Sequence, residues 1–266
     1  MEVKVALITG GSSGIGAATA LVLAKAGIKV YAASRRGTIP AEHPLIVPVK
    51  LDINDEALTE TIVADIVKAE GRLDAVICNA GAGIYGPVEN TTDAEAREQF
   101  ETTYFGSLKT IRACLPVFRK QGRGRIITIT SVMAILQLPY QGFYSSAKAA
   151  LLSLSQSLSL ELKGTGIQCC SILPGDVATG FTSARKMIGK ADDPAYAEGM
   201  KKNLAKIEKD ELGGMSPDVI AKAILRQLGK KHMAIRVIPR LDYKAVGFLV
   251  RILPVKWVLT ILSWIY

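Results

Sequence analysis

The stretch that most constrains the fold is Thr9-Gly10-Gly11-Ser12-Ser13-Gly14-Ile15-Gly16, which follows the apolar run Val3–Ile8 and opens the helix-patterned segment Gly14–Ala26. A strand that feeds a helix through so few residues needs a tight turn, and Gly10 permits one. Gly14 lets the backbone approach a pyrophosphate, and Gly16 allows the helix to pack closely on the sheet. The helix N-terminus supplies unpaired N–H groups and positive potential for phosphates. Thr9, Gly10, Ser12, Ser13, Gly14, Ile15 and Gly16 are therefore candidate cofactor-binding residues.

The rest of the chain keeps this rhythm. Lys29–Ala33, Leu45–Val49, Leu73–Cys78, Gly124–Thr130, Ile167–Leu173 and Met233–Ile238 read as strands, and Asp55–Glu70, Ala94–Lys120, Gln141–Lys163 and Ser216–Gly229 as helices. Short, continuously apolar strands bracketed by helices predict a parallel sheet covered on both faces. The fold class is α/β: a single Rossmann-like, doubly wound domain over residues 1–240, with about seven strands flanked by helices. No internal repeat or low-complexity linker divides it.

Two segments break the pattern. Gly180–Met215 is polar and lysine-rich, with Gly189, Gly199, Gly213 and Gly214, and reads as a mobile flap over a substrate rather than a core element. Leu241–Tyr266 is apolar but interrupted by Lys244, Arg251, Pro254 and Lys256. Its length approaches the roughly 20 residues of a membrane span, yet those cations and the proline argue against crossing. The expectation is a C-terminal amphipathic helix lying in a membrane interface, with Trp257, Trp264 and Tyr266 as interfacial aromatics. Packing on the domain or on a dimer mate is the alternative.

Hydrophobic residues make up 49% of the 266-residue chain and charged residues 21%, which marks a globular protein with a sizeable core. The four cysteines lack zinc-ligand spacing, and the adjacent Cys169 and Cys170 make a poor disulfide, so free thiols, no metal site and a cytoplasmic setting are expected. The strand at residues 3–8 leaves no room for a signal peptide before it. A formal charge of +9 with basic clusters at Arg119-Lys120, Lys201-Lys202 and Lys230-Lys231 invites a nucleic-acid reading. No aromatic–basic interleaving supports one, and an anionic cofactor together with an anionic membrane surface accounts for the charge.

The second strand ends in Ala33-Ser34-Arg35-Arg36, where an enzyme using NAD usually places a carboxylate for the ribose hydroxyls. Ser34 and the two guanidiniums suit a 2′-phosphate, so the expected cofactor is NADP(H). Tyr144 and Lys148 lie four apart in a predicted helix and share a face. The Lys148 ammonium is expected beside the Tyr144 hydroxyl, lowering its pKa so that the phenol can exchange a proton near neutral pH. Ser131, thirteen residues upstream, is placed to hydrogen-bond a carbonyl or alcohol oxygen.

These motifs, taken in order, resemble the short-chain dehydrogenase/reductase family, closely over residues 3–179 and loosely beyond. They are T-G-x-x-x-G-x-G at Thr9–Gly16, an acid at Asp52 followed by Ile53, Asn79-Ala80-Gly81, Ser131, Y-x-x-x-K at Tyr144–Lys148, and Pro174-Gly175-x-Val177-x-Thr179. The resemblance implies Tyr144 as general acid/base, Lys148 as its pKa partner and a nicotinamide-ribose ligand, and Ser131 as the substrate-oxygen anchor. It places Asp52 on the adenine side, Asn79 in support of the central strand and cofactor, and Val177 and Thr179 beside the nicotinamide carboxamide and phosphates. It also implies a homodimer or homotetramer built through the two long helices. One position departs: Thr103 stands where the family usually carries an asparagine that organises a proton-relaying water. Thr103 is kept as a catalytic candidate, although a threonine lacks an amide's paired donor and acceptor.

Tyr140 and Phe143 before the catalytic tyrosine, and Ile135, Leu136 and Leu138 after Ser131, suggest an apolar cleft wall that Phe181, Met187 and Met200 of the flap would complete. No charged residue is committed to a substrate charge. The activity expected is NADPH-dependent reduction of a hydrophobic, lipid-like ketone, or the reverse oxidation. A 3-oxoacyl-thioester reductase of fatty-acid synthesis and a non-catalytic NADP-binding sensor are the alternatives.

Overall fold

The computed structural model describes residues 2–39, 42–189 and 193–266. Residues 1, 40 and 41 of the expected domain and residues 190–192 of the expected flap lie outside the described residues. β1 (Val5–Thr9) is buried at every position, as a central strand must be. Successive side chains of a strand face opposite ways. Ala6 and Ile8 accordingly join Ala20, Leu23, Ile220 and Ile224 on one face, while Val5 and Leu7 join Ile62, Ile66, Ile111 and Phe118 on the other.

The first half of the chain runs α1 (Gly14–Lys25), β2 (Lys29–Ser34), β3 (Ile46–Lys50), α2 (Glu56–Glu70), β4 (Ala75–Cys78) and β5 (Ile84–Tyr85), then α3 (Asp93–Phe100) and α4 (Gly106–Gln121). The second half runs β6 (Gly124–Ile129), α5 (Gly142–Glu161), β7 (Ile167–Ile172), β8 (Lys186–Met187), α6 (Ala197–Leu212), α7 (Pro217–Gly229), β9 (Arg236–Val237), α8 (Leu241–Ile252) and α9 (Val255–Ile265). Seven strands form one sheet in the order β3-β2-β1-β4-β6-β7-β9, with every pairing parallel. The chain winds outward from β1 in one direction and from β4 in the other. The crevice beyond the carboxyl ends of these two strands is therefore the topological switch point where ligands bind in such sheets.

Three elements differ from the sequence expectation. The helix expected over Ala94–Lys120 begins at a Thr92–Glu95 capping box and is interrupted by a π turn at Glu101–Phe105. The segment 180–215 is not bare loop: α6 buries Met200, Asn203 and Ile207. The tail is two helices, because Pro254 has no N–H to give and pushes Leu253 to an extended ψ of 145°.

The tail also packs inward. Gly247 lies under Ile238 and Ile135, Leu262 is buried, and Tyr266 docks on the cluster of Tyr85, Met200 and Ile207. Tyr266 is thus not one of the exposed interfacial aromatics, whereas Phe248, Trp257 and Trp264 are exposed at 64%, 61% and 79%. Among the described residues no helix is long and apolar enough to cross a membrane.

Candidate active site

The glycine loop is locked from below by the loop after β4. Gly10 and Gly14 hold φ of +67° and +52°, a region open to glycine but strained for other residues. Asn79 Nδ2 donates to the carbonyls of Thr9 and Gly10, at 3.0 and 3.2 Å. Thr9 Oγ1 accepts from the backbone N–H groups of Asn79 and Ala80, both at 3.1 Å. A Cβ on Gly16 would stand 2.7 Å from Asn79 Nδ2 and closer still to the Gly10 carbonyl oxygen, so no side chain fits there. Ser13 is the extended N-cap of α1, and Ile15 begins its first turn. The result is a bare helix N-terminus at the switch point, a cradle that fits a dinucleotide pyrophosphate.

At the end of β2, Ser34 Oγ accepts from Gly37 N at 3.1 Å and folds the turn that presents Arg35 and Arg36 to solvent. Arg36 Nη2 reaches back to Ser12 Oγ at 3.2 Å, bringing a guanidinium to the edge of the phosphate cradle. Asp52 is exposed and accepts from Asn54 N, while Ile53 turns inward against Gly106. On the opposite wall Thr179 faces Gly14, Val177 bridges to Met215, and the Pro174 carbonyl accepts from Val132 N. Gly175 leaves room for the Tyr243 ring, whose hydroxyl bonds Asp176.

Ser131, Tyr144 and Lys148 come together beyond β6. Ser131 caps a short 3₁₀ turn by accepting from Met133 N at 3.1 Å. Lys148 Nζ donates to the Ile129 carbonyl at 2.9 Å and lies 5.8 Å from the centre of the Tyr144 ring. Burial pushes the Tyr144 phenol up to about 12; a Ser131 hydrogen bond and the Arg185 charge work the other way, and the Glu211 and Asp176 carboxylates add to the rise. This corrects the expectation of a lowered phenol: Lys148 donates to the Ile129 carbonyl, and desolvation outweighs the Ser131 hydrogen bond and the Arg185 charge.

Burial likewise pushes Lys148 down to about 8 from its ordinary 10.5. Between those values the unfolded chain holds a proton that the folded chain has released. Stability from this group is therefore lowest below pH 8 and rises as pH climbs toward 10.5. The stability of the parent minus that of Lys148→Met should increase by about 3 kcal/mol across that window, read from urea midpoints at its two ends.

Thr103 is fully buried in the π turn, and Gly81 separates it from Lys148. Phe181 lies over Tyr144, with ring centres 5.7 Å apart, and fits because Gly83 has no side chain. The parallel pairing of β5 with β8 ties this cover to the loop after β4. Leu138, Tyr140 and Met200 gather around Tyr85 beneath it, whereas Ile135 turns toward the tail and Met187 is largely exposed.

Two residues of this region escaped the sequence reading. Gln99 is fully buried and hydrogen-bonds Thr103. The Arg185 side chain is 2% exposed and ion-paired with Glu211, while its Nε and Nη1 have no partner among the described residues. Neither sits in a motif, and only the chain's return over the site makes them neighbours. All four cysteines are free and buried, and no group of metal-ligating side chains occurs among the described residues.

Residues 4–187 match the family model described as short chain dehydrogenase. The chain is 36% identical over 260 residues to a 3-ketodihydrosphingosine reductase of Bacteroides thetaiotaomicron, covering 96% of this chain and 92% of that protein. It is 33% identical over 248 residues to the uncharacterized oxidoreductase YusZ of Bacillus subtilis, covering 88% and 87%. A solved short-chain dehydrogenase from Streptomyces avermitilis superposes with a TM-score of 0.83 at 30% identity over 94% of this chain and 93% of that one. A short chain dehydrogenase from Burkholderia cenocepacia in complex with NADP gives 0.75 at 25% identity, over 94% of each chain. Because the matched residues span both the glycine loop and the Tyr144–Lys148 turn, the chain belongs to the short-chain dehydrogenase/reductase family of oxidoreductases, which act on CH–OH and C=O groups.

Proposed function

We propose that the protein reduces a hydrophobic, lipid-like ketone to an alcohol with NADPH. The observation that carries this reading is the placement of the Tyr144 phenol with Ser131 and Lys148 beneath the apolar cover of Phe181. Burial keeps that phenol protonated, so it has a proton to give to an oxygen held by Ser131. NADPH held in the glycine-loop cradle would supply the hydride chemistry. Ser131 holds the carbonyl oxygen, Tyr144 gives it a proton, and Lys148 favours the phenolate left behind. The 3-ketodihydrosphingosine reductase among the relatives supports a long-chain ketone as substrate. NADPH oxidation against sphingoid, steroid and acyl ketones tests the reading; turnover of acyl thioesters alone would favour a 3-oxoacyl-thioester reductase instead.

NADP(H) rather than NAD(H) rests on Arg36 beside Ser12, and on the NADP complex of the Burkholderia relative. Arg36→Ala should weaken NADPH binding by about 10- to 100-fold, the worth of a charge-assisted phosphate contact, and leave NADH binding unchanged. Fluorescence titration checks this, and equal losses for both cofactors would sink the assignment.

The tail supports membrane association. Phe248, Ile252, Trp257 and Trp264 are exposed on two short helices that also carry Lys244, Arg251 and Lys256. Apolar side chains interspersed with cations suit an anionic bilayer surface. Co-sedimentation with anionic vesicles should exceed that with zwitterionic ones and fall at least several-fold in Trp257→Ala/Trp264→Ala. Self-association is inferred through the outer faces of α4 and α5, beside exposed Phe105 and Leu160.

A further inference from the structure

A cavity of about 420 Å³ opens where the end of α7, strand β9 and α8 meet, at the edge of the sheet and three strands from β4. Arg226 and Lys230 line it from the α7 side, Arg236 from β9, and Lys244 and Arg251 from α8. Among the described residues no acidic side chain lines it, and none of the five cations is in an ion pair. Asp242, the acid of α8, is spent on Arg240, and Asp218, the acid of α7, stands in the first turn at the far end from Arg226. Five cations thus converge on one hollow in a chain whose whole net charge is +9.

Folding alone does not ask for this arrangement. A helix dipole favours cations near a C-terminus, which covers Arg226, Lys230 and Arg251, and a charge on an edge strand such as Arg236 discourages strand pairing. Lys244 has neither excuse, because it stands in the first turn of α8, at the positive end of the dipole. Like charges around a hollow repel one another and focus a positive potential into it. A second copy of the chain would not relieve that repulsion, since a two-fold contact puts the same patch on both sides.

The surface of α8 points to the kind of anion. At 3.6 residues per turn, Lys244, Gly247, Phe248 and Arg251 fall on one stripe, the one that lines the cavity. The neighbouring stripe is Leu241, Phe248 and Ile252, all exposed. A row of cations beside a row of exposed apolar side chains matches a bilayer surface, where the lipid phosphates lie just above the acyl chains.

We propose that this cavity binds the phosphomonoester headgroup of a bilayer lipid, with Arg226, Lys230, Arg236, Lys244 and Arg251 around the phosphate and Phe248 against the first carbons of the chains. The proposal rests on the membrane association of the tail inferred above and adds a chemical choice to it. A phosphomonoester carries close to two negative charges and three strong acceptor oxygens. Guanidiniums bond such oxygens in pairs. A diester headgroup carries a single charge and fewer free oxygens, too little to balance five cations.

The test compares phosphatidylcholine vesicles carrying phosphatidic acid with others carrying phosphatidylglycerol at matched surface charge. The parent should co-sediment with the first about tenfold more tightly. Arg236→Gln/Lys244→Gln should lose at least about tenfold on phosphatidic acid and treat the two vesicles alike. It should melt no earlier than the parent, because it relieves repulsion. Arg119→Gln/Lys120→Gln, the same charge taken from the exposed end of α4, should keep the preference. A parent without preference, or equal losses in the two double variants, would reduce the cavity to diffuse surface charge and overturn the proposal. Retention of duplex DNA above either vesicle, lost in the cavity variant, would overturn it in favour of a nucleic acid.

Failure of the membrane reading is separable from failure of the site. Trp257→Ala/Trp264→Ala should weaken both vesicle complexes alike and spare the preference. If the parent sediments with neither vesicle, calorimetry with monomeric dihexanoyl phosphatidic acid still decides, since that lipid needs no bilayer. Binding that Arg236→Gln/Lys244→Gln abolishes upholds the headgroup site, and no binding removes it. Glycerol 3-phosphate, the headgroup without chains, should bind at least about tenfold more weakly than the short-chain lipid. Equal affinity would make the ligand a soluble phosphate ester and overturn the lipid assignment.

Discussion

Tyr144→Phe is expected to lower kcat for ketone reduction by about 10³-fold while leaving NADPH binding intact. The substitution removes one oxygen and little else. The ring keeps its contact with Phe181, and Lys148 keeps its bond to Ile129, because neither involves the phenol hydroxyl. What goes is the proton. Hydride arriving at a carbonyl carbon leaves an alkoxide, and Ser131 can hold that oxygen but is far too weak an acid to neutralise it. The loss should therefore fall on kcat with little change in KM, since binding of the ground-state ketone needs no acid. Stopped-flow absorbance of NADPH and a fluorescence titration of its affinity together read both halves. A variant that keeps more than a tenth of the parental rate would move the acid elsewhere. A parent that binds NADPH and oxidises it with no ketone would make the protein a cofactor sensor.

Gly16→Ala should be as damaging to cofactor binding as Tyr144→Phe is to chemistry. The new methyl would press on Asn79 Nδ2 and on the Gly10 carbonyl, and neither can step aside without breaking the bond that joins them. Either α1 lifts from β1 or the phosphate loop unfolds from the β4 loop. Overpacking of this kind costs about 1–3 kcal/mol or more. Because the cradle itself is displaced, NADPH affinity should drop by at least about 100-fold, the equivalent of that same energy. Gly27→Ala is the control. Its φ of +81° is strained for alanine, but nothing lies within 4 Å of the added carbon. It should lose about 1–2 kcal/mol of stability and no cofactor affinity. Urea unfolding and NADPH titration of the two variants separate a steric from a conformational cost, and a Gly16→Ala protein with parental affinity would contradict the cradle.

Much of this architecture is legible in the residue order because the signals are local. An apolar run such as Leu7–Ile8 next to a glycine turn announces a buried strand, and the strand bounds fall within two residues of the expected runs except at β9, which starts three residues late. The Tyr144–Lys148 pair is equally local, since helix geometry alone brings the two onto one face. The misreadings share a different origin. The amphipathic pattern of 197–212 was masked by its lysines, yet Met200, Asn203 and Ile207 recur at helical spacing and are buried. The π turn leaves no mark on the pattern of 94–120 because it shifts backbone bonds rather than side-chain polarity. The direction of the phenol's shift is not legible because spacing tells which cation is near but not how dry the site is, and Phe181 is brought over Tyr144 by a pairing between strands about a hundred residues apart in the chain.

The position of α7 has a bearing on how this protein is made. Ile220, Ile224 and Leu228 seal the face of the sheet formed by Ala6, Ile8, Ile77 and Ile127, yet they follow β7 in the chain. A ribosome that has just released Ile172 has produced every central strand and all of the helices for the opposite face, with one greasy side still half open. At roughly 5–20 residues per second, α7 arrives several seconds later. That interval, rather than any moment in the life of the finished enzyme, is when the chain is most exposed to aggregation and most in need of a chaperone.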